Sequence, residues 1–273
     1  MDEFFEQAHH MPMQPKVVQE VMQLLHADDV DIKPLADKIH HDQVLCARVL
    51  CLSNAAYFGF SRKIGRIEEA ISLIGLARLE ALVVASGVTS AFSGVPGVNL
   101  TQFWQHSLIT ASIARQLATT LRLQSDTAYI AGLMHRIGQL PMYMAYPQAA
   151  ADIEIACAGQ SVLTRHQVEQ AILGVDHHIV GEQLAKHWHF PEVISNVVRY
   201  YTDPLNEHAA DIAAVVYAAV HIASGLDADQ QPLLTAATLH TDVATKLGLE
   251  DGAALAEHIV SYRVFVAEAK AYL

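Results

Sequence analysis

"LTQFWQHSLITASIARQLATTL", Leu100 to Leu121, decides how the chain is read. Phe103, His106, Thr110, Ile113, Leu117 and Leu121 recur at the spacing that puts side chains on one face of an α-helix. Alternation at every second position, the mark of a half-buried strand, does not organise the apolar residues here or elsewhere. The stretch predicts one long helix with His106 turned inward, and the predicted class is all-α.

On the C-terminal side, "AGLMHRIGQLPM" (Ala131 to Met142) reads as the end of a second helix and a turn, with Ser125 as its cap, His135 at its end and Gly138 at its stop. Further helices are expected from about Gln148 to Ala158, Ser161 to Leu173, Asp176 to His187, Pro191 to Tyr201 and Ala209 to Ala223, with two more after Pro232. On the N-terminal side, "SAFSGVPGVN" gathers Gly, Pro, Ser and Asn without periodicity, so it marks a loop and the domain boundary. Before it lie about five short helices. Asp31 caps one, Pro34 falls in the first turn of the same one, another starts near Asp42, and Gly75 separates "IEEAISLI" from "LARLEALVVASGV". The expected architecture is an N-terminal helical subdomain, residues 1–96, followed by a larger helical bundle, residues 97–273.

Composition sets limits on function. The chain has 273 residues, 52% of them hydrophobic, enough for one large core or two moderate ones. No apolar run approaches the ~20 residues of a membrane-spanning helix, and the acidic start "MDEFFEQAHH" is unlike a secretory signal. A cytoplasmic protein without membrane contact is expected. The net charge of −12 opposes nucleic-acid binding, and the small basic cluster Arg62, Lys63 and Arg66 is followed at once by Glu68 and Glu69. Cys46, Cys51 and Cys157 lack metal or redox spacing and read as buried, reduced thiols. Phosphate-binding, dinucleotide-binding and serine-hydrolase motifs are absent.

Of sixteen histidines, three stand apart. His106 faces inward on the long helix, His135 ends the next, and His177 follows the capping Asp176 at the start of a later one. Such residues are either satisfied core histidines or, converging from three helices, ligands for a transition metal such as Zn²⁺ or Ni²⁺.

The order of these residues resembles the HD superfamily of metal-dependent phosphohydrolases, in which a helix histidine, a His-Asp pair and a distant aspartate bind divalent ions. More narrowly the chain resembles the HDOD group, the HD-related output domains of bacterial signalling proteins. The likeness runs through "MPMQPKVVQEVMQLL", "ADKIHHDQVLCARVLCLSNAAYFG", "FWQHSLITASIARQLA", "AYIAGLMHRIGQLPM" and "EQAILGVDHHIVGEQLAKHWHFPEVI", covering about residues 11–201. Residues 202–273 are then a helical extension. In "NAAYFGF", a signature of the family's first subdomain, Asn54 is expected to cap backbone groups.

The same resemblance exposes departures. Arg136 stands where the family's metal-binding pattern has aspartate, Tyr200 and Tyr201 stand where many relatives carry two histidines, and Ser224 falls at the place of the final aspartate. An aspartate neutralises metal charge, whereas a guanidinium stays protonated and repels a divalent ion by several kcal/mol. The resemblance thus implies a non-catalytic bacterial signalling module with no cofactor, acting through a protein partner or a small anionic ligand. In that reading Arg136 holds an anion or pairs with Glu169 or Asp176. The alternative it implies is a phosphohydrolase using His106, His135 and His177 as an atypical metal site.

Overall fold

The computed structural model describes residues 15–25, 27, 29–54, 63–92, 94–159, 161–227 and 239–249. Among them every regular element is helical. They group into two compact units, one within Met13–Ser93 and one within Gly94–Ala271.

The first unit holds α1 (Lys16–Leu25), α2 (Ile32–His40), α3 (Gln43–Ser53), α4 (Ile67–Ile74) and α5 (Leu76–Ala91). Its helices start where short side chains satisfy orphan backbone donors. Asp31 accepts from the Lys33 amide at 2.9 Å and Asp42 from the Leu45 amide at 2.8 Å. Gly75, at φ +82°, turns the chain between α4 and α5 in a conformation that L side chains rarely adopt. Val21, Leu35, Ile39, Val49, Ile67 and Leu79 are fully buried, so each helix contributes its apolar stripe to one core. Asn54 closes α3 by donating to the Leu50 and Ile64 carbonyls and accepting from the Ile64 amide, each at 2.8 Å. Tyr57 and Phe58 of the same signature lie outside the described residues. The cysteines differ from expectation: Cys51 is exposed, on the face of α3 opposite Leu45, Val49 and Ser53, Cys46 is only partly buried, and so is Cys157, the last residue of its helix.

The second unit is built on α6 (Leu100–Thr120), which packs against α7 (Ser125–Met134) and α13 (Asp211–Asp227). It continues through α8 (Gln139–Ala145), α9 (Pro147–Cys157), α10 (Arg165–Leu173), α11 (His177–His187), α12 (Glu192–Tyr200) and α14 (Thr241–Leu247). The helix expected from Ser161 is divided. Ser161 caps a 3₁₀ turn, Val162–Thr164, and the α-helix begins only at Arg165. Of the two helices expected after Pro232, α14 is one, and the other lies outside the described residues. Glycine permits a close approach of two elements in this unit. A Cβ on Gly138, before α8, would stand 2.1 Å from the His177 carbonyl oxygen on α11. No single described helix is long and apolar enough to cross a membrane.

Candidate functional site

Two helix ends and one helix face bring the three histidines together inside the second unit. His106 lies on the buried face of α6, His135 follows α7, and His177 opens α11 behind its cap Asp176. All three imidazoles are buried, and the His106 and His135 rings stand 5.7 Å apart between centres.

His135 and His177 each have Nδ1 bonded to a carbonyl or carboxylate oxygen. His135 Nδ1 lies 2.6 Å from the Gly132 carbonyl oxygen, so it carries the proton and donates. Burial, the neighbouring His106 and the Arg136 cation hold His135 well below the ordinary imidazole value, which keeps it neutral at pH 7. His177 Nδ1 bonds Glu169 Oε2, which also accepts from the His177 amide at 2.9 Å. On the other side of the ring, Nε2 is 2.9 Å from the Tyr201 hydroxyl. Burial pushes the Tyr201 phenol above its ordinary value, so it stays protonated, and its hydroxyl hydrogen-bonds that nitrogen. The Tyr201 ring also packs edge-on against His135 and His178, at 5.3 and 4.9 Å.

These contacts test the residues against a divalent ion, and they do not fit. Both ring nitrogens of His177 are engaged, and Arg136 brings a permanent positive charge beside His135. Among the described residues no group of three or more His, Cys, Asp or Glu side chains is arranged to hold a metal ion. The alternative of Zn²⁺ or Ni²⁺ on His106, His135 and His177 therefore lacks its ligand geometry, because Tyr201 occupies the approach to His177.

The expected pairing of Arg136 with Glu169 or Asp176 is also corrected. Arg136 turns back onto α6. Its Nε donates to Ser107 Oγ at 3.3 Å, a terminal nitrogen donates to the Phe103 carbonyl at 2.5 Å, and the guanidinium lies 4.1 Å over the Phe103 ring. Glu169 is met instead by Arg165, whose Nε is 3.1 Å from Glu169 Oε1, and by His177. Burial acts to raise the Glu169 carboxyl, but the His177 bonds and the Arg165 charge outweigh it and hold the group below its ordinary value. Asp176 accepts from the His178 and Ile179 amides at 2.9 and 3.1 Å, with Arg199 at 3.8 Å. Position explains the exchange: Arg165 precedes Glu169 by one helical turn on α10, whereas Arg136 belongs to the turn between α7 and α8 and reaches Phe103 and Ser107 of α6.

Arg136 and His106 line a cleft of about 660 Å³ together with Gln139, Tyr143, Arg165 and Ser224. Ser224, placed by the resemblance at the final aspartate, thus faces the same space, and its hydroxyl bonds the Val220 carbonyl at 2.7 Å. Sequence reading missed Arg165, Tyr143, Glu154 and His178. Arg165 and Glu169 at i and i+4 were the one available signal for the first. Nothing in sequence spacing joins Tyr143 and Glu154 to them.

An all-α bundle with histidines gathered from three helix positions beside a polar cleft is the arrangement of HD-type domains. The HDOD domain family matches residues 11–204, and the chain belongs to that family. Among solved structures it is similar to a Shewanella amazonensis SB2B protein named "Putative phosphohydrolase", with 28% identity and a TM-score of 0.81 over 99% of this chain and 97% of that one. An HDOD domain protein of unknown function from Geobacter sulfurreducens is 26% identical, with a TM-score of 0.71 over 99% of this chain and 92% of that one. An uncharacterized protein of Treponema pallidum (strain Nichols) is 26% identical over 193 residues. That match covers 70% of this chain and 37% of the relative, so the chain spans little more than a third of that protein's length.

Proposed function

We propose that this protein is a non-catalytic regulatory module of bacterial signalling that acts by binding a protein partner or a small ligand. The observation that carries the reading is the hydrogen bond between the Tyr201 hydroxyl and His177 Nε2. A hydrolytic metal centre needs imidazole lone pairs open to the ion, carboxylates to neutralise it and a free position for water. Here one imidazole nitrogen is capped by a phenol, and a guanidinium stands where a carboxylate would neutralise charge. The buried core then becomes a structural cross-link, in which Arg165, Glu169, His177 and Tyr201 hold α10, α11 and the end of α12 together.

The test is elemental analysis of protein purified without chelator or a metal-affinity column, paired with hydrolysis of bis-p-nitrophenyl phosphate. The expected result is metal well below one equivalent and no turnover above blank. Stoichiometric metal with chelator-sensitive turnover would overturn the proposal and return the chain to the metal-dependent phosphohydrolases.

A further inference from the structure

One wall of the cleft already holds an anion. Arg165 uses Nε for Glu169, while a terminal nitrogen donates to Glu154 Oε1 at 2.5 Å and to the Tyr143 hydroxyl. The two carboxylates on this guanidinium differ in what governs exchange. The Glu169 side chain is 0% exposed and also holds His177, so it cannot leave without breaking that bond and stranding the Arg165 guanidinium, whose side chain is only 15% exposed. The Glu154 side chain comes from α9, is 54% exposed, and can turn into water. Tyr143, Glu154 and Arg165 all line the cleft.

The rest of the cleft suits a polar molecule. Arg136 places a second guanidinium in the lining, and Gln102, Gln105 and Gln139 supply amide donors and acceptors. Its volume, about 660 Å³, lies within the range of small-molecule sites. A guanidinium matches a planar carboxylate or a phosphate through paired N–H donors.

We infer that the cleft binds the oxoanion end of a small polar molecule, a carboxylate or a phosphate, which takes the place of the Glu154 carboxylate on Arg165. Glu154 is then a built-in stand-in for the ligand. Exchange replaces one anion by another, so the charge around Arg165 is conserved and the Glu169–His177 pair stays in place. The inference rests on the proposed function in one respect, that the cleft is a binding site.

The experiment uses the full chain in chelator, titrated calorimetrically with inorganic phosphate and, separately, with succinate. Removing the competing charge with Glu154→Gln is expected to tighten binding by about fivefold, the weight of a solvent-exposed ion pair. Asp152, exposed and outside the cleft lining, gives the control: Asp152→Asn should leave affinity unchanged. Arg136→Gln should weaken it. The anion that shows the gain identifies which chemistry the cleft prefers. The inference is overturned if Glu154→Gln binds neither anion more tightly than the parent, or if Asp152→Asn gives the same gain. Its failure is distinct from that of the proposed function, which falls on metal-dependent turnover and not on metal-free anion affinity.

Discussion

A carboxylate with no exposed surface is stable only when cations or donors meet it, and Glu169 is met by Arg165 and by two groups of His177. Glu169→Gln should lower stability by about 3 kcal/mol in urea titrations, because Arg165 keeps its charge in a site with little water. The pH dependence has two parts with the same sign. The folded Glu169 carboxyl titrates below its ordinary 4.5, so its contribution is present above that value and is lost as pH falls through the folded value. His135 and His178 are held well below 6.5 by burial first and then by neighbouring charge. The unfolded chain therefore takes up their protons first as pH falls, and stability declines from about pH 6.5 downward, by at most about 1.4 kcal/mol per pH unit for each histidine. Denaturant titrations from pH 7.5 to 5 should show this slope, and His178→Gln should reduce it. A slope unchanged in that variant would remove His178 from the account. For the metal question, Arg136→Asp alone should restore divalent affinity only in part, while Arg136→Asp with Tyr201→His should restore more. Equilibrium dialysis with Mn²⁺ checks the order of the two.

Among the elements, helix starts were legible because caps act over two or three residues. Asp31, Asp42 and Asp176 each accept from an amide at the positions their sequences announce. Asp176→Ala should cost about 1–2 kcal/mol and Asp176→Asn much less, since asparagine keeps the acceptor. The divided helix near Ser161 was not legible, because apolar spacing continues across a 3₁₀ turn and an α-helix alike. The approach of α8 to α11 was equally hidden. Gly138→Ala would place its Cβ 2.1 Å from the His177 carbonyl oxygen, backbone that cannot rotate away. A loss of about 1–3 kcal/mol is expected, measured by thermal and urea unfolding. A variant as stable as the parent would show that α8 can shift without strain.

At the scale of the whole molecule, the charge of −12 is spread over a chain whose described residues form two compact helical units. Each unit has its own set of buried helical stripes, with the residues of α1 to α5 forming one continuous core. A surface of that sign repels a phosphate backbone. Mixing the protein with duplex DNA at physiological salt is expected to give no mobility shift, and a salt-sensitive shift at micromolar protein would contradict it.

The helical class, most helix starts and the inward placement of His106 were determined by the sequence itself, since periodicity and capping are local and each needs only a few neighbouring residues. Which charges meet was decided only by the tertiary structure. Arg136 could have reached Glu169 on paper, yet the packing gave Glu169 to Arg165 and laid Arg136 on Phe103. Tyr201 reaches His177 across 24 residues of chain, and Tyr143 meets Arg165 across 22. Contacts of that range depend on how helices cross, which no spacing along the chain encodes.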